Sequence, residues 1–461
     1  MNMKMINQYN RFLFYIAALG IISSFSACKK YLEVDLPKDQ ITTQSAFATA
    51  TNTLAAVNGM YTFALKNASF LNYQGDFLMG AAADEFVYGS GSYDDFKNNT
   101  YTGINYDVSQ TWTLFYSVIF QANSIIENVP RSPVSDSLKA VYTAEAKVFR
   151  AFCHLYLTNY WGNVPLIQTT DVTQTATIGR TPKAEVMNAV LADLKDAETG
   201  LPTGTVRNGR FNKYMATALL ARVNLYMKNW ADAEAKATSL ISNTSNFTLL
   251  TDLSKVFLRG SKEAIWQVNT ADNNYTYWAG SSVPTSSTTS ASYLYLVRPE
   301  LYNAFDSADL RKANWLGTVT YSGTMYTYDY KYKQTSTPTS SSVIEDYMLL
   351  RLAEQYLIRA EARAWQNNLN GAIDDINAIR TRAGLTALSY GMTQGDVLLS
   401  IEKERKLELF GEGYSHRWID LIRTGRVDAV LGAEKGSTWK SSAAVLPIPD
   451  KEILNNPALG N

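Results

Sequence analysis

The chain has 461 residues, and its 42 basic and 42 acidic side chains balance to a formal net charge of zero. That balance excludes the basic footprint of a nucleic-acid binder and the basic run that holds a protein to an anionic membrane. Two cysteines exclude a disulfide-rich scaffold, and a length beyond the roughly 250–300 residues at which one core stops growing predicts one large unit or two closely packed lobes.

The first 27 residues read as an export signal. Lys4 and Arg11 supply a positive start, 12–22 an unbroken apolar run, and Phe25-Ser26-Ala27 a small-residue approach to Cys28. The run is about half the roughly 20 residues of a membrane span. A cysteine at that place resembles a bacterial lipoprotein signal, so Cys28 is expected to carry lipid and become the new N-terminus. Residues 28–45 then read as a tether. Removing Lys4 and Arg11 leaves a slight excess of acid, and Cys153, among apolar neighbours, remains as a buried small side chain.

Helical patterning follows from 46 onward. A first helix is expected over 45–65. Residues 66–111, rich in Gly, Asn, Asp and Tyr, show little period and read as a long loop region. Helices are expected over 112–129, stopped by Pro130, and over 136–160, with apolar positions at Val141, Ala144, Val148, Ala151, Phe152 and Leu155. Ala221, Trp230, Ala233, Ala237 and Leu240 then repeat the spacing of Ala360, Leu369, Ala372, Ile376 and Ile379. Small residues on one helix, a bulky residue at the turn and Ala on the next resemble tetratricopeptide units. The two copies lie far apart in sequence, so a tidy solenoid is not expected.

Residues 245–345 break the pattern. Ten of the 29 tyrosines fall between Tyr275 and Tyr332, beside Ser/Thr tracts. Tyr326, Tyr328, Tyr330 and Tyr332 alternate at strand period, and 264–268 is a second strand candidate. Helices return over 346–365, 370–383, 395–410 and 414–425, and Pro447, Pro449 and Pro457 mark an extended tail. The fold class is therefore mainly α, with tetratricopeptide-like helix pairs (about 112–242 and 346–425) packed against an irregular lobe of small strands and long loops (about 66–111 and 245–345), all within one unit over 46–461.

Five segments in order resemble the SusD/RagB family of outer-membrane nutrient-uptake lipoproteins of Bacteroidetes. They are Cys28-Lys29-Lys30-Tyr31-Leu32-Glu33-Val34; Glu145-Ala146-Lys147-Val148-Phe149-Arg150-Ala151-Phe152 with Tyr160-Trp161-Gly162-Asn163-Val164-Pro165-Leu166; 349–362 running into Asn377-Ala378-Ile379-Arg380-Thr381-Arg382-Ala383-Gly384-Leu385; Ile401-Glu402-Lys403-Glu404-Arg405 with Asp420-Leu421-Ile422-Arg423-Thr424-Gly425; and Leu446-Pro447-Ile448-Pro449. The resemblance implies a helical fold with four tetratricopeptide-like units, capture of a glycan (or, in some relatives, a peptide), and delivery to a SusC-like TonB-dependent transporter. Lipid anchoring to the outer membrane and display at the cell surface are implied in the same way. These motifs look structural, and Arg150, Glu354 and Arg380 are expected in ion pairs between helices.

Signatures of catalysis are missing: there is no H-E-x-x-H, no phosphate-binding P-loop and no G-x-S-x-G. No cofactor or metal is called for. His154 reads as a core histidine, His416 with Glu412 as a solvated helix pair, and Glu402, Glu404, Glu408 and Glu412 as a solvated helix face. Sugars present CH-rich faces and hydroxyl rims, which aromatic platforms with Asp, Asn, Gln or Arg can answer. Two regions have that mixture: Asp84, Tyr88, Tyr93 and Asn98, and Asn274, Tyr275, Tyr277, Trp278 and Tyr293. The leading expectation is a non-catalytic glycan-binding uptake lipoprotein. The alternatives are a peptide-binding counterpart, a scaffold that binds only its transporter, and an outer-membrane carbohydrate-active enzyme.

Overall fold

Apolar residues at three- and four-residue spacing turn most of the chain into helix. The structure, a computed structural model, describes residue 9 and residues 43–66, 74–204, 209–268, 276–285, 290–335 and 344–460. The chain divides into two units, Met1–Ala46 and Phe47–Asn461. The first holds a short helix, Thr43–Ala46; everything below lies in the second. Among the described residues no helix is long and apolar enough to cross a membrane.

The principal helices are α1 (Ala50–Lys66), α2 (Gln74–Ala82), α3 (Tyr106–Asn128), α4 (Asp136–Trp161), α5 (Lys183–Gly200), α6 (Lys213–Tyr226), α7 (Trp230–Ile241), α8 (Leu352–Trp365), α9 (Leu369–Arg382), α10 (Gln394–Leu409), α11 (His416–Arg423) and α12 (Val427–Lys435). Their ends are chemically marked. Asn105 caps α3 by accepting from the Val108 N–H (2.9 Å), Ser135 caps α4, and Gly162, at φ +72°, stops α4.

From α3 to α11 each helix packs on the next. The predicted repeat is physical: Ala221, Ala233 and Ala237 pack with Ile358 and Ala362, bordered by Trp230, while Ala360, Ala372 and Ile376 pack with Val397 and Ile401, bordered by Leu369. The alanines let the backbones approach closely. The expectation of scattered units is corrected, because α7 packs directly on α8 across the intervening chain, making the two copies neighbours in one continuous array.

That intervening chain carries small sheets. Strand β1 is Phe86–Tyr88, β2 Ala264–Val268, β3 Tyr295–Val297, β4 Leu316–Tyr321, β5 Thr324–Asp329 and β6 Tyr347–Arg351. One sheet runs β1-β3-β5-β4 and the other pairs β2 with β6. β4 and β5 form a hairpin turning at Ser322 and Gly323, both at positive φ as a tight two-residue turn requires. Three expectations change. Tyr347–Arg351 is strand, and helix begins only at Leu352; five consecutive buried residues offer no period to tell the two apart. The region over 66–111 contains α2, β1 and a short helix Asp94–Lys97, and α2 escapes a periodicity reading because it is apolar and buried nearly all round. Of the alternating tyrosines only Tyr326 and Tyr328 lie on β5. Tyr332 lies beyond its end, fully buried, its hydroxyl accepting from the Met348 N–H (2.9 Å).

The expected solvated face is not solvated: Glu402 of α10 is half-buried and meets Arg417 and Arg426 (both 3.1 Å), and the other three acids, two on α10 and one just past its end, lie deeper. Glu404, Glu408 and Glu412 are buried among cations that reach in from other elements. Arg351 meets Glu408 and Glu412 (both 2.6 Å), Arg311 meets Glu404 (2.9 Å) and Glu408 (3.1 Å), and Lys331 meets Glu412 (2.5 Å). Burial alone would raise the Glu408 carboxyl, but Arg382, Arg351 and Arg311 hold it well below the usual range. His416 is likewise buried rather than solvated. The expected interhelical pairs are present as Arg150–Asp193 (2.7 Å), Arg222–Glu354 (2.7 Å) and Arg380–Glu404 (2.8 Å). His154 is a core histidine whose Nε2 accepts from the Ile167 N–H (3.3 Å), and Cys153 is a buried thiol.

Candidate functional site

Two stretches about 200 residues apart in sequence meet through one strand pairing. β1 runs antiparallel to β3, setting Phe86 opposite Val297, Val87 opposite Leu296 and Tyr88 opposite Tyr295. Phe77 of α2 then stacks on Tyr295, with ring centroids 3.7 Å apart and planes within 9°. Tyr93 meets Phe77 edge-on at 5.4 Å and Tyr88 edge-on at 5.2 Å, and Tyr88 lies 5.7 Å from Tyr295. Each such pair adds about 0.5–1.5 kcal/mol beyond area burial. Tyr295 and Phe77 are the buried floor; Tyr88 and Tyr93 are half-buried and keep part of their surface in solvent.

The segment between them is clamped at both ends. The Gly89 N–H donates to the Leu294 carbonyl (3.2 Å), and a side chain at Gly89 would run into the Ala291 carbonyl, so this crossing needs glycine. At the far end Asn99 donates to the Ala82 carbonyl (3.0 Å), and the Lys435 ammonium donates to Ala82 (2.5 Å) and to Asn99 Oδ1 (2.7 Å). Burial pulls Lys435 down to about 7. Between the clamps, Asn98 is half-buried at the end of the short helix, its backbone N–H donating to Asp94.

The candidate residues separate by position. Tyr88, Tyr93 and Asn98 share one segment. Tyr277 opens the short helix Tyr277–Ser282 and is 43% exposed. The same helix is pinned by Trp278, whose ring packs on Phe86 (5.3 Å) and Tyr295 (5.9 Å). Trp278 itself is fully buried, and its indole N–H donates to Asp329 Oδ2 (3.0 Å), so it anchors the helix and offers no open face. Asp84 is also fully buried: Arg417 grips it with two bonds (2.8 and 2.9 Å) and Lys406 with a third (2.6 Å). Burial would raise its carboxyl, yet Arg417 and Lys406 together hold it well below the usual range. Both residues are therefore scaffold beneath the site, where their sequence composition had suggested contact. Tyr293 closes the 3-10 turn Ala291–Tyr293. Asn274, Tyr275 and the expected lipidation residue Cys28 lie outside the described residues.

Phe77 carried no signal in a region without period. The pairing that joins the two segments rests on Phe86-Val87-Tyr88 and Tyr295-Leu296-Val297, apolar triplets too short to read as strands alone. The arrangement provides ring faces and phenol hydroxyls on a rigid floor, which suits stacking and hydrogen bonding to a polyhydroxylated ligand. Among the described residues no group of three or more His, Cys, Asp or Glu could hold a metal ion.

Comparison with known proteins agrees with the fold. Residues 306–461 match the model described as "SusD family", and residues 30–225 match one described as "Starch-binding associating with outer membrane". A SusD-like protein of Formosa agariphila is 27% identical over 504 aligned positions, covering 96% of each chain. A solved laminarin-binding SusD-like protein superposes with a TM-score of 0.75 at 25% identity, covering 89% of this chain and 98% of its own. A SusD superfamily structure from Bacteroides vulgatus gives 0.77 at 22% identity, covering 89% and 97%. The helical array, the small sheets it carries and these matches together place the chain in the SusD family.

Proposed function

We propose that the protein is a non-catalytic, lipid-anchored glycan-binding component of an outer-membrane uptake system, tethered through Cys28. It captures an oligo- or polysaccharide on the surface formed by Tyr88, Tyr93, Asn98 and Tyr277, with Asn274, Tyr275 and Tyr293 on the adjoining segment. It then hands the glycan to a SusC-like TonB-dependent transporter. The observation that carries this reading is the convergence of two aromatic segments on one buried platform through the β1–β3 pairing. The laminarin-binding relative supports the ligand class, and the description of the N-terminal family model supports both starch-like glycans and the outer membrane.

The test is affinity electrophoresis of the mature chain through gels containing laminarin or starch, with Tyr88→Ala and Tyr277→Ala alongside. Each platform ring removed is expected to weaken retention roughly two- to tenfold. Retention that neither substitution changes refutes the site. A chain retarded by no glycan but co-purifying with its transporter favours the scaffold alternative, and one that binds only oligopeptides favours the peptide-binding alternative.

A further inference from the structure

One stripe of α3 is unused by that site. Trp112, Tyr116 and Phe120 follow one another at four-residue steps, and Thr113, Ser117 and Gln121 form the stripe beside them. Each step advances about 6 Å along the helix. The two stripes form one wall of an open cleft of about 610 Å³, bounded opposite by Phe63 of α1 and by Glu452 of the C-terminal helix Asp450–Asn455. That volume falls among small-ligand sites.

The rings grade from floor to rim. Trp112 is 3% exposed, Tyr116 is half-buried, and Phe120 is 53% exposed. The floor is fixed: Tyr116 donates its hydroxyl to the Pro165 carbonyl (2.9 Å) and packs on Trp112 (4.9 Å), which packs on Trp161 (5.4 Å). Burial raises the Tyr116 phenol and the Glu452 carboxylate raises it further, which puts that charge near the ring. Ser117 spends its hydroxyl on the Thr113 carbonyl (2.8 Å). The side chains of Thr113, Gln121 and Glu452 have no hydrogen-bond or ion-pair partner among the described residues.

We propose that this cleft is a second carbohydrate subsite, which lays a linear neutral glycan along α3. The inference rests on the glycan-binding reading above and adds a site to it. A linear glycan repeats a CH-rich face and a hydroxyl edge; above the buried Trp112 the cleft offers the half-buried ring of Tyr116 and the open ring of Phe120 one helical step apart, with Thr113 and Gln121 beside them. The unused hydroxyl, amide and carboxylate answer hydroxyls, whereas the core of a protein–protein contact is depleted of charge. Glu452 repels uronate or sulfate groups and so selects an uncharged chain. Two sites on one anchored protein retain a long polymer better than either alone.

The experiment is affinity electrophoresis of wild type, the Phe120→Ala/Gln121→Ala double variant and Tyr277→Ala in laminarin and starch gels, with melting temperatures measured in parallel. Phe120 is exposed and Gln121 unbonded, so the double variant is expected to melt as wild type. It should lose polymer retention roughly two- to tenfold, while its affinity for a short oligosaccharide at the first site is unchanged. Glu452→Gln should gain retention in a uronate-containing gel. A double variant that migrates as wild type while Tyr277→Ala is released overturns the subsite and leaves the first site standing. A wild type that no glycan retards overturns both. A double variant that keeps glycan retention but loses co-purification with the transporter overturns the subsite in favour of a protein-docking cleft.

Discussion

Asp84→Asn separates scaffold from contact. The carboxylate accepts two bonds from Arg417 and one from Lys406, all between 2.6 and 2.9 Å and out of reach of water. Neutralising it leaves two cations buried without their acid, and breaking a buried pair from one side typically costs about 3–5 kcal/mol. Arg417 keeps a bond to Glu402 (3.1 Å), and Lys406 stands 3.9 Å from Glu434, so the loss should fall toward the lower end, about 3 kcal/mol. In urea denaturation of the mature chain the midpoint should fall clearly. Under native conditions glycan affinity should stay within about twofold of wild type, because Asp84 is fully buried and exposes no atom to a ligand. Tyr277→Ala should do the reverse, with stability within about 0.5 kcal/mol of wild type and affinity reduced. Unchanged stability together with lost affinity in Asp84→Asn would refute the assignment of Asp84 to the scaffold.

Three further outcomes are expected. Gly89→Ala forces a methyl against the Ala291 carbonyl; overpacking of this kind typically costs about 1–3 kcal/mol, so a variant that melts and binds as wild type would show that the β1–β3 crossing is not tight. Burial pushes Asp329 up to about 7, ahead of the opposing pull of Lys331, so the native state keeps a proton that the unfolded chain releases at its ordinary, lower pKa. The stability this group contributes is full at low pH and is lost as pH rises through 7; Asp329→Asn should flatten the decline in melting temperature between pH 5 and 8, and an unaltered decline contradicts it. Cys28→Ser should move the protein from the membrane to the soluble fraction in the native host, whereas unchanged fractionation removes the lipid anchor from the account.

The helical array was legible wherever a helix has one wet face. Ala221 with Ala233 and Ala360 with Ala372 show their pairing in sequence because close helix packing needs small residues at fixed spacing. Residues buried on all sides were not legible. Tyr347–Arg351 and α2 have no polar face to set a period, so one reads as helix and the other as loop. Charge misled for a related reason. Glu404, Glu408 and Glu412 look like a solvated stripe until Arg311, Lys331 and Arg351 arrive from distant segments. At the candidate site, composition pointed to two segments but not to the depth of their residues, since nothing local distinguishes Tyr277, open to solvent, from Trp278, its buried neighbour.

The central claim is binding without turnover at an aromatic platform. Isothermal titration of the mature chain with laminarin and starch oligosaccharides, followed by analysis of the recovered sugars, tests it most directly. The account predicts a saturable heat for at least one of them, intact oligosaccharide afterwards, and a weaker isotherm for Tyr88→Ala and Tyr277→Ala. Shortened products, or an isotherm that neither substitution alters, would contradict it.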